Sequence, residues 1–240
     1  MNRALTIAER ELASFFFSPI AYVSLFAFLM ASGGLFWNDF TPGQPAAMRT
    51  IFEWMVWLLV IIVPLLCMGL LAQEWASGTI ETMMTAPIAE SDIVIGKFLG
   101  SFAFFVVLLT PTLLYVVMLR LYARNGLDFG PIFSGYLGIL LVGALFNAVG
   151  LFCSSLTRSQ IVAAVSTAAI LFVVTIVPWW ASSSPQLSSF WRMIANQGVF
   201  SRYVDFSKGV IATSNLVFFV AVTGVFLFLT VKVLESRRWK

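Results

Sequence analysis

Six stretches of about 20 nearly unbroken apolar residues run along the chain, at 18–37, 54–72, 98–119, 131–153, 161–180 and 215–233. A helix needs about 20 apolar residues to cross a bilayer core. Strands of a membrane barrel would instead alternate apolar and polar positions over about 10 residues. The pattern therefore predicts an all-α integral membrane protein with six transmembrane helices, TM1 to TM6, forming one domain over 1–240. Ahead of them, residues 1–17 place Leu5, Ala8, Leu12 and Phe16 at helical spacing with the charges between. That predicts an amphipathic helix lying on the membrane. Thr6 and Glu9 have capping-box spacing and predict its start. No long apolar core with a small-residue cleavage site is found there, so the segment does not read as a cleaved signal peptide.

Composition strengthens the membrane reading. Of 240 residues, 60% are hydrophobic and 10% charged, against about 25% charged in soluble domains. There is no His, which excludes an imidazole base and His-ligated zinc or haem. Cys67 and Cys153 lie inside apolar runs, where two thiols make neither a metal cluster nor a disulfide framework. No catalytic, metal or cofactor-binding residue is expected on this chain. The net charge of +3 fits Lys and Arg at a lipid surface better than a nucleic-acid partner.

An even number of spans puts both ends on one side. Eight Lys/Arg fall on that side and six on the other, and the cluster after residue 233 is the strongest part of the bias. The termini are therefore expected in the cytoplasm. No ionisable residue lies mid-span, and Lys232 sits only at an edge, which argues against proton coupling. Asn147 lies mid-span in the fourth span, Thr110-Pro111-Thr112 interrupts the third, Pro64 bends the second and Pro178 ends the fifth. They read either as path lining or hinges, or as kinks and interhelical hydrogen bonds that a bundle tolerates. Gly96/Gly100, Ala144/Ala148 and Ala164/Ala168 are small-xxx-small pairs and read as helix packing.

The segment 73–97 is polar yet patterned. Ile80, Met83 and Met84 share a helical face, Pro87 stops that helix, and Ser91 and Asp92 read as the N-cap of the next. An exposed Met pair suits a plug for a groove on another protein; an ordinary loop facing lipid is the equal alternative.

Here the residues resemble a family. Glu74-x-x-Ser-Gly-Thr-Ile-Glu-Thr-x-x-Thr-x-Pro-Ile, followed by Ile93-Val-Ile-Gly-Lys-Phe, resembles the ABC-2 type permeases of ABC transporters. Asp205-Phe-Ser-Lys-Gly-Val-Ile and the tail Val233-Leu-Glu-Ser-Arg-Arg-Trp resemble the branch of the gliding-motility-associated permease. The permease of the nitrous-oxide-reductase maturation system is a near neighbour of that branch. One departure is the stretch 196–203, which lacks His. The chain also has no GxxxxGK[ST] phosphate loop.

The resemblance implies a permease subunit of the bacterial inner membrane, not an enzyme, with ATP and Mg bound by a separate ATPase subunit. It makes Glu74, Ser77, Gly78, Thr79, Ile80, Glu81, Thr82, Met83, Met84 and Thr85 a coupling helix between TM2 and TM3 that docks on that ATPase. The amphipathic helix would lean on the same partner. Residues 181–214 would form short outer re-entrant helices between TM5 and TM6, with Trp179, Trp180, Trp191 and Tyr203 at interfacial depth. Six spans imply a homodimer or a sister permease, and an extracytoplasmic accessory protein is a further implied partner. ATP hydrolysis would drive export, extrusion or force transmission. The alternative is an ATP-independent secondary carrier, which predicts an internal repeat that the sequence does not show. An intramembrane enzyme lacks candidate groups.

Overall fold

The computed structural model describes residues 3–39, 48–79, 89–122, 128–183 and 197–238, and all regular structure among them is helical. In chain order the helices are α1 (Arg3–Phe17), α2 (Pro19–Asp39), α3 (Arg49–Cys67), α4 (Ala72–Ser77), α5 (Glu90–Leu109), α6 (Leu113–Tyr122), α7 (Phe129–Leu156), α8 (Gln160–Ser183), α9 (Val199–Ser207) and α10 (Thr213–Arg238). Six helical runs are long and apolar enough to cross a membrane, at Pro19–Asp39, Arg49–Ser77, Glu90–Tyr122, Phe129–Leu156, Gln160–Ala181 and Thr213–Arg237. They match the six expected spans in order and number.

TM2 and TM4 form the hub. Of their most apolar windows 67% and 72% are buried, against 11% for TM6, which leaves its apolar surface for lipid or another chain. TM4 reaches this burial through small residues. A Cβ added at Gly135, Gly138, Gly143 or Gly150 would lie 2.1 to 2.8 Å from Phe52, Phe206, Phe105 or Cys67. The four glycines thus seat side chains from three neighbouring helices, α3, α5 and α9, as small residues do where apolar surface alone cannot drive helices together.

Two spans are broken. In TM3, Thr110–Thr112 forms a 3₁₀ turn between α5 and α6, because Pro111 has no N–H to continue the ladder. The Thr110 and Thr112 hydroxyls bond back to Val106 O at 2.9 Å and Leu109 O at 2.7 Å. Beyond the turn, Tyr115 stacks on Phe36 of TM1 and shares a 3.1 Å hydrogen bond with Ser32. In TM2, α3 ends at Cys67, three residues after Pro64, and α4 resumes at Ala72.

The helix boundaries correct four expectations. Pro178 lies inside α8, which runs on to Ser183, so it does not end the fifth span. α1 is helical from Arg3, so Thr6 is inside it and does not cap it. α5 begins at Glu90 with Ala89 at the N-cap, so Ser91 and Asp92 lie in its first turn. Acidic residues there favour the positive end of the helix dipole without being caps. Lys97, taken as a loop residue, sits two turns inside the third span and is 2% exposed.

Candidate functional site

The end of the bundle that carries both described chain ends is built around the break in TM2. Pro64 accepts the Met68 N–H through its carbonyl, and the chain then turns through Gly69, Leu70 and Leu71. The first N–H groups of α4 would be orphaned there. Ser154 of TM4 supplies the missing partner. Its Oγ accepts from Leu71 N and Ala72 N, both at 3.0 Å, and donates to Met68 O at 3.2 Å. Ser154→Ala is expected to destabilise the protein by about 1–3 kcal/mol, the usual cost of a buried donor left unmade. Thermal melting in detergent, with Ser155→Ala as the neighbouring control, checks this; among the described residues Ser155 bonds its own helix at Phe152 O.

From this anchored start, α4 presents Glu74 to α5 and Trp75 to TM6. Glu74 Oε1 meets Lys97 Nζ of α5 at 2.8 Å, and the same ammonium meets Glu11 Oε2 of α1 at 2.9 Å. The Lys97 side chain is 2% exposed; Glu11 and Glu74 are 18% and 22% exposed. Trp75 lies under the Arg237 guanidinium of TM6 at 4.7 Å, a cation–π contact. Arg237 also donates to Leu156 O at the end of TM4, at 2.6 Å. A six-residue helix is thereby tied to α1 and to TM3, TM4 and TM6. It ends at Gly78, whose φ of +74° is a left-handed cap that a Cβ would strain.

α1 lies along α5. The added Cβ of Gly96 would sit 2.7 Å from Ile7 Cβ and 2.8 Å from Ala4 O, and that of Gly100 would sit 2.6 Å from Glu11 Cβ. One turn later Phe15 stacks on Phe104 at 4.8 Å. Gly96 and Gly100 are thus a groove for the amphipathic helix, the packing role expected of them, with an unexpected occupant.

Of the expected coupling residues, Glu74, Ser77, Gly78 and Thr79 stand together at this junction; Ser77 Oγ bonds Gln73 O at 3.0 Å and Thr79 Oγ1 at 2.9 Å. Ile80, Glu81, Thr82, Met83, Met84 and Thr85 lie outside the described residues. Asn147 is fully buried, donates to Gly143 O at 2.7 Å and faces Cys67 Sγ at 3.3 Å, three residues from Pro64. Pro111 stands apart from that pair, at the 3₁₀ turn of TM3. The sequence reading passed over Glu11, Lys97, Ser154 and Arg237 as members of one junction. The GxxxG beside Lys97 was the available signal, since it marks a helix docking where that lysine emerges.

At the opposite end, Asp205-Phe-Ser-Lys-Gly resolves into parts of a clamp. Asp205 Oδ2 accepts from Asn215 at 2.9 Å, and Asn215 Oδ1 accepts from Arg202 at 3.1 Å. Phe206 is buried and its carbonyl accepts from Ser134 at 2.8 Å, while Ser207 bonds Glu53 at 3.3 Å. Gly209, at φ +91°, closes α9 as a Schellman cap, with Val210 N to Asp205 O at 2.9 Å and Gly209 N to Phe206 O at 3.1 Å. α9 is thereby fixed to TM2, TM4 and the start of TM6. Tyr203 is fully buried. Burial, aided by Glu53 and Tyr136 nearby, pushes its hydroxyl well above the ordinary tyrosine range, so it stays neutral. Trp179 packs edge-on to Trp57, and Trp191 lies outside the described residues. A crevice of about 290 Å³ opens beside this clamp, floored by Phe52 and Ile132 with Arg49 and Lys208 at its edge.

Six apolar helical spans around a hub, with buried charge confined to one end among the described residues, define a multi-pass membrane protein. Residues 6–237 match the family described as ABC-2 family transporter protein, so the chain belongs to that family and is the permease component of an ABC transporter. Membership implies association with the membrane and with an ABC ATPase. No curated protein matches this chain significantly.

Proposed function

We propose that this permease couples ATP hydrolysis on a separate ATPase subunit to export, extrusion or force transmission, and that the segment from Glu74 to Thr85 is the coupling element. The observation that supports this most is the α4 junction. A short helix leading directly into that segment is bound to four other helices by Ser154, Lys97, Glu11 and Arg237. Motion imposed on the segment would reach TM2, TM3, TM4 and TM6 together. ATP and Mg would be held by the partner, and a second copy or a sister permease would complete the path.

The junction end faces the cytoplasm in this reading, with the protein in a bacterial inner membrane. Arg3, Arg10, Arg158, Lys232 and Arg237 on that side agree with the positive-inside bias. The Asp205-Phe-Ser-Lys-Gly-Val-Ile motif and the Leu-Glu-Ser-Arg-Arg-Trp tail carry the resemblance to the gliding-motility-associated branch. Helix α9 would be the re-entrant element of the outer face, where an accessory protein would bind. Pro64, Pro111 and Asn147 would act as hinges, since two of them adjoin the breaks in TM2 and TM3.

Co-purification tests the reading. An ATPase with a phosphate loop should travel with the detergent-solubilised protein, and its hydrolysis should be stimulated by it. Gly78→Val forces a branched residue into a left-handed cap at about 1–2 kcal/mol and is expected to abolish that stimulation while six-span insertion persists. Full stimulation by the variant, or no ATPase under any condition, would contradict it.

A further inference from the structure

We infer that Lys97 is a releasable latch: it holds α4 against the α1–α5 pair in one state of the transport cycle and lets it go in another, with Glu11 as the keeper of its charge. The inference rests on the coupling reading above and adds the residue that gates it.

The first observation is stoichiometric. One ammonium, 2% exposed, is shared by two carboxylates at 2.8 and 2.9 Å. A buried charge that loses its only partner is strongly destabilising. A single Lys97–Glu74 pair would therefore be a staple that could not open. With Glu11 present, Glu74 can leave and the ammonium remains paired.

The second observation is mechanical. Glu11 belongs to a helix seated in the Gly96/Gly100 groove of the same helix that carries Lys97, so the Glu11–Lys97 pair lies within one packed unit. Glu74 belongs to α4, which the break at 68–71 separates from α3. Of the two pairs, only Lys97–Glu74 runs between α4 and the α1–α5 unit.

The third observation is that the crossing contact is incompletely satisfied. Glu74 Oε2 and the adjacent Trp75 Nε1 are inaccessible and have no hydrogen-bond partner among the described residues. Groups left short of partners in one arrangement gain from a second arrangement that supplies them. Lys97 is thus a positioning residue for coupling, acting through α4 and not on cargo.

The test uses the permease assembled with its ATPase and spin labels at Ala13→Cys on α1 and Ala76→Cys on α4, both exposed positions. In the unsubstituted cluster the label distance should lengthen when nucleotide is trapped. Glu74→Gln should show the long distance already without nucleotide. Glu11→Gln leaves Glu74 as the sole partner and should lower the long-distance population in trapped nucleotide at least tenfold, with a parallel fall in ATPase stimulation. A static staple predicts something different: both variants shift melting temperature alike and leave the distances unchanged in either nucleotide state. That outcome, or a wild-type distance that ignores nucleotide while the ATPase turns over, overturns the latch. If Glu11→Gln fails to assemble, Glu11→Asp shortens the reach to Lys97 and should move the distances in the same direction. Absence of any associated ATPase would instead overturn the coupling reading itself, and the latch with it.

Discussion

Replacing Lys97 with Met is expected to lower stability by about 3 kcal/mol, the low end of the range for breaking a buried ion pair. The two carboxylates it leaves behind are about one-fifth exposed, which moderates the loss. They would then face one another with no cation between them. For a chain of this length the shift in melting temperature is about 6–12 °C. The same Lys97→Met change combined with Glu11→Gln and Glu74→Gln is expected to recover most of the loss. Removing every charge of a buried cluster is close to neutral, whereas removing one member is not. Fluorescence-detected size-exclusion melting of the three proteins reads both effects. A Lys97→Met protein that melts with the wild type would show that the cluster holds nothing.

Gly100→Leu is the second large effect. Its Cβ would stand 2.6 Å from Glu11 Cβ and 2.9 Å from the Ala8 carbonyl. Glu11 can rotate its outer atoms, but the Ala8 oxygen is backbone and moves only if α1 moves. Overpacking of this kind costs about 1–3 kcal/mol when the structure absorbs it. Here α1 has few other attachments, so detachment is the cheaper response. Hydrogen exchange across Arg3–Phe17 should quicken at least tenfold, and the Lys97–Glu11 pair should be lost with it. Gly34→Leu on TM1 is the control. That glycine has nothing within 4 Å of its Cβ site, and the variant should match the wild type. Slow exchange in Gly100→Leu would contradict the groove.

These two positions also mark where sequence and tertiary structure divide. Lys97 and Gly100 are both visible in the sequence, one as a charge near a span and the other as half of a GxxxG. Neither their shared partner nor the depth of Lys97 is visible, because α1 and α5 are about 90 residues apart and a helix–helix contact has no local spacing. The same holds for Ser154. A serine near the end of TM4 looks ordinary until the break in TM2 brings three backbone groups to its hydroxyl. Pro111, by contrast, announced its interruption, since a missing N–H acts within its own helix; Pro64 lies inside α3, which runs on to Cys67.

The sequence by itself determined the six spans and the all-helical class, because burying about 20 apolar residues in a helix is a local requirement. It also carried the family, through motifs that are themselves short. Only the tertiary structure decided that α1 belongs to TM3, that Tyr203 is core, and that Asp205-Phe-Ser-Lys-Gly is a clamp. It alone brought one lysine to serve two carboxylates from distant parts of the chain. Those facts depend on close approach between helices, which small residues permit but do not direct.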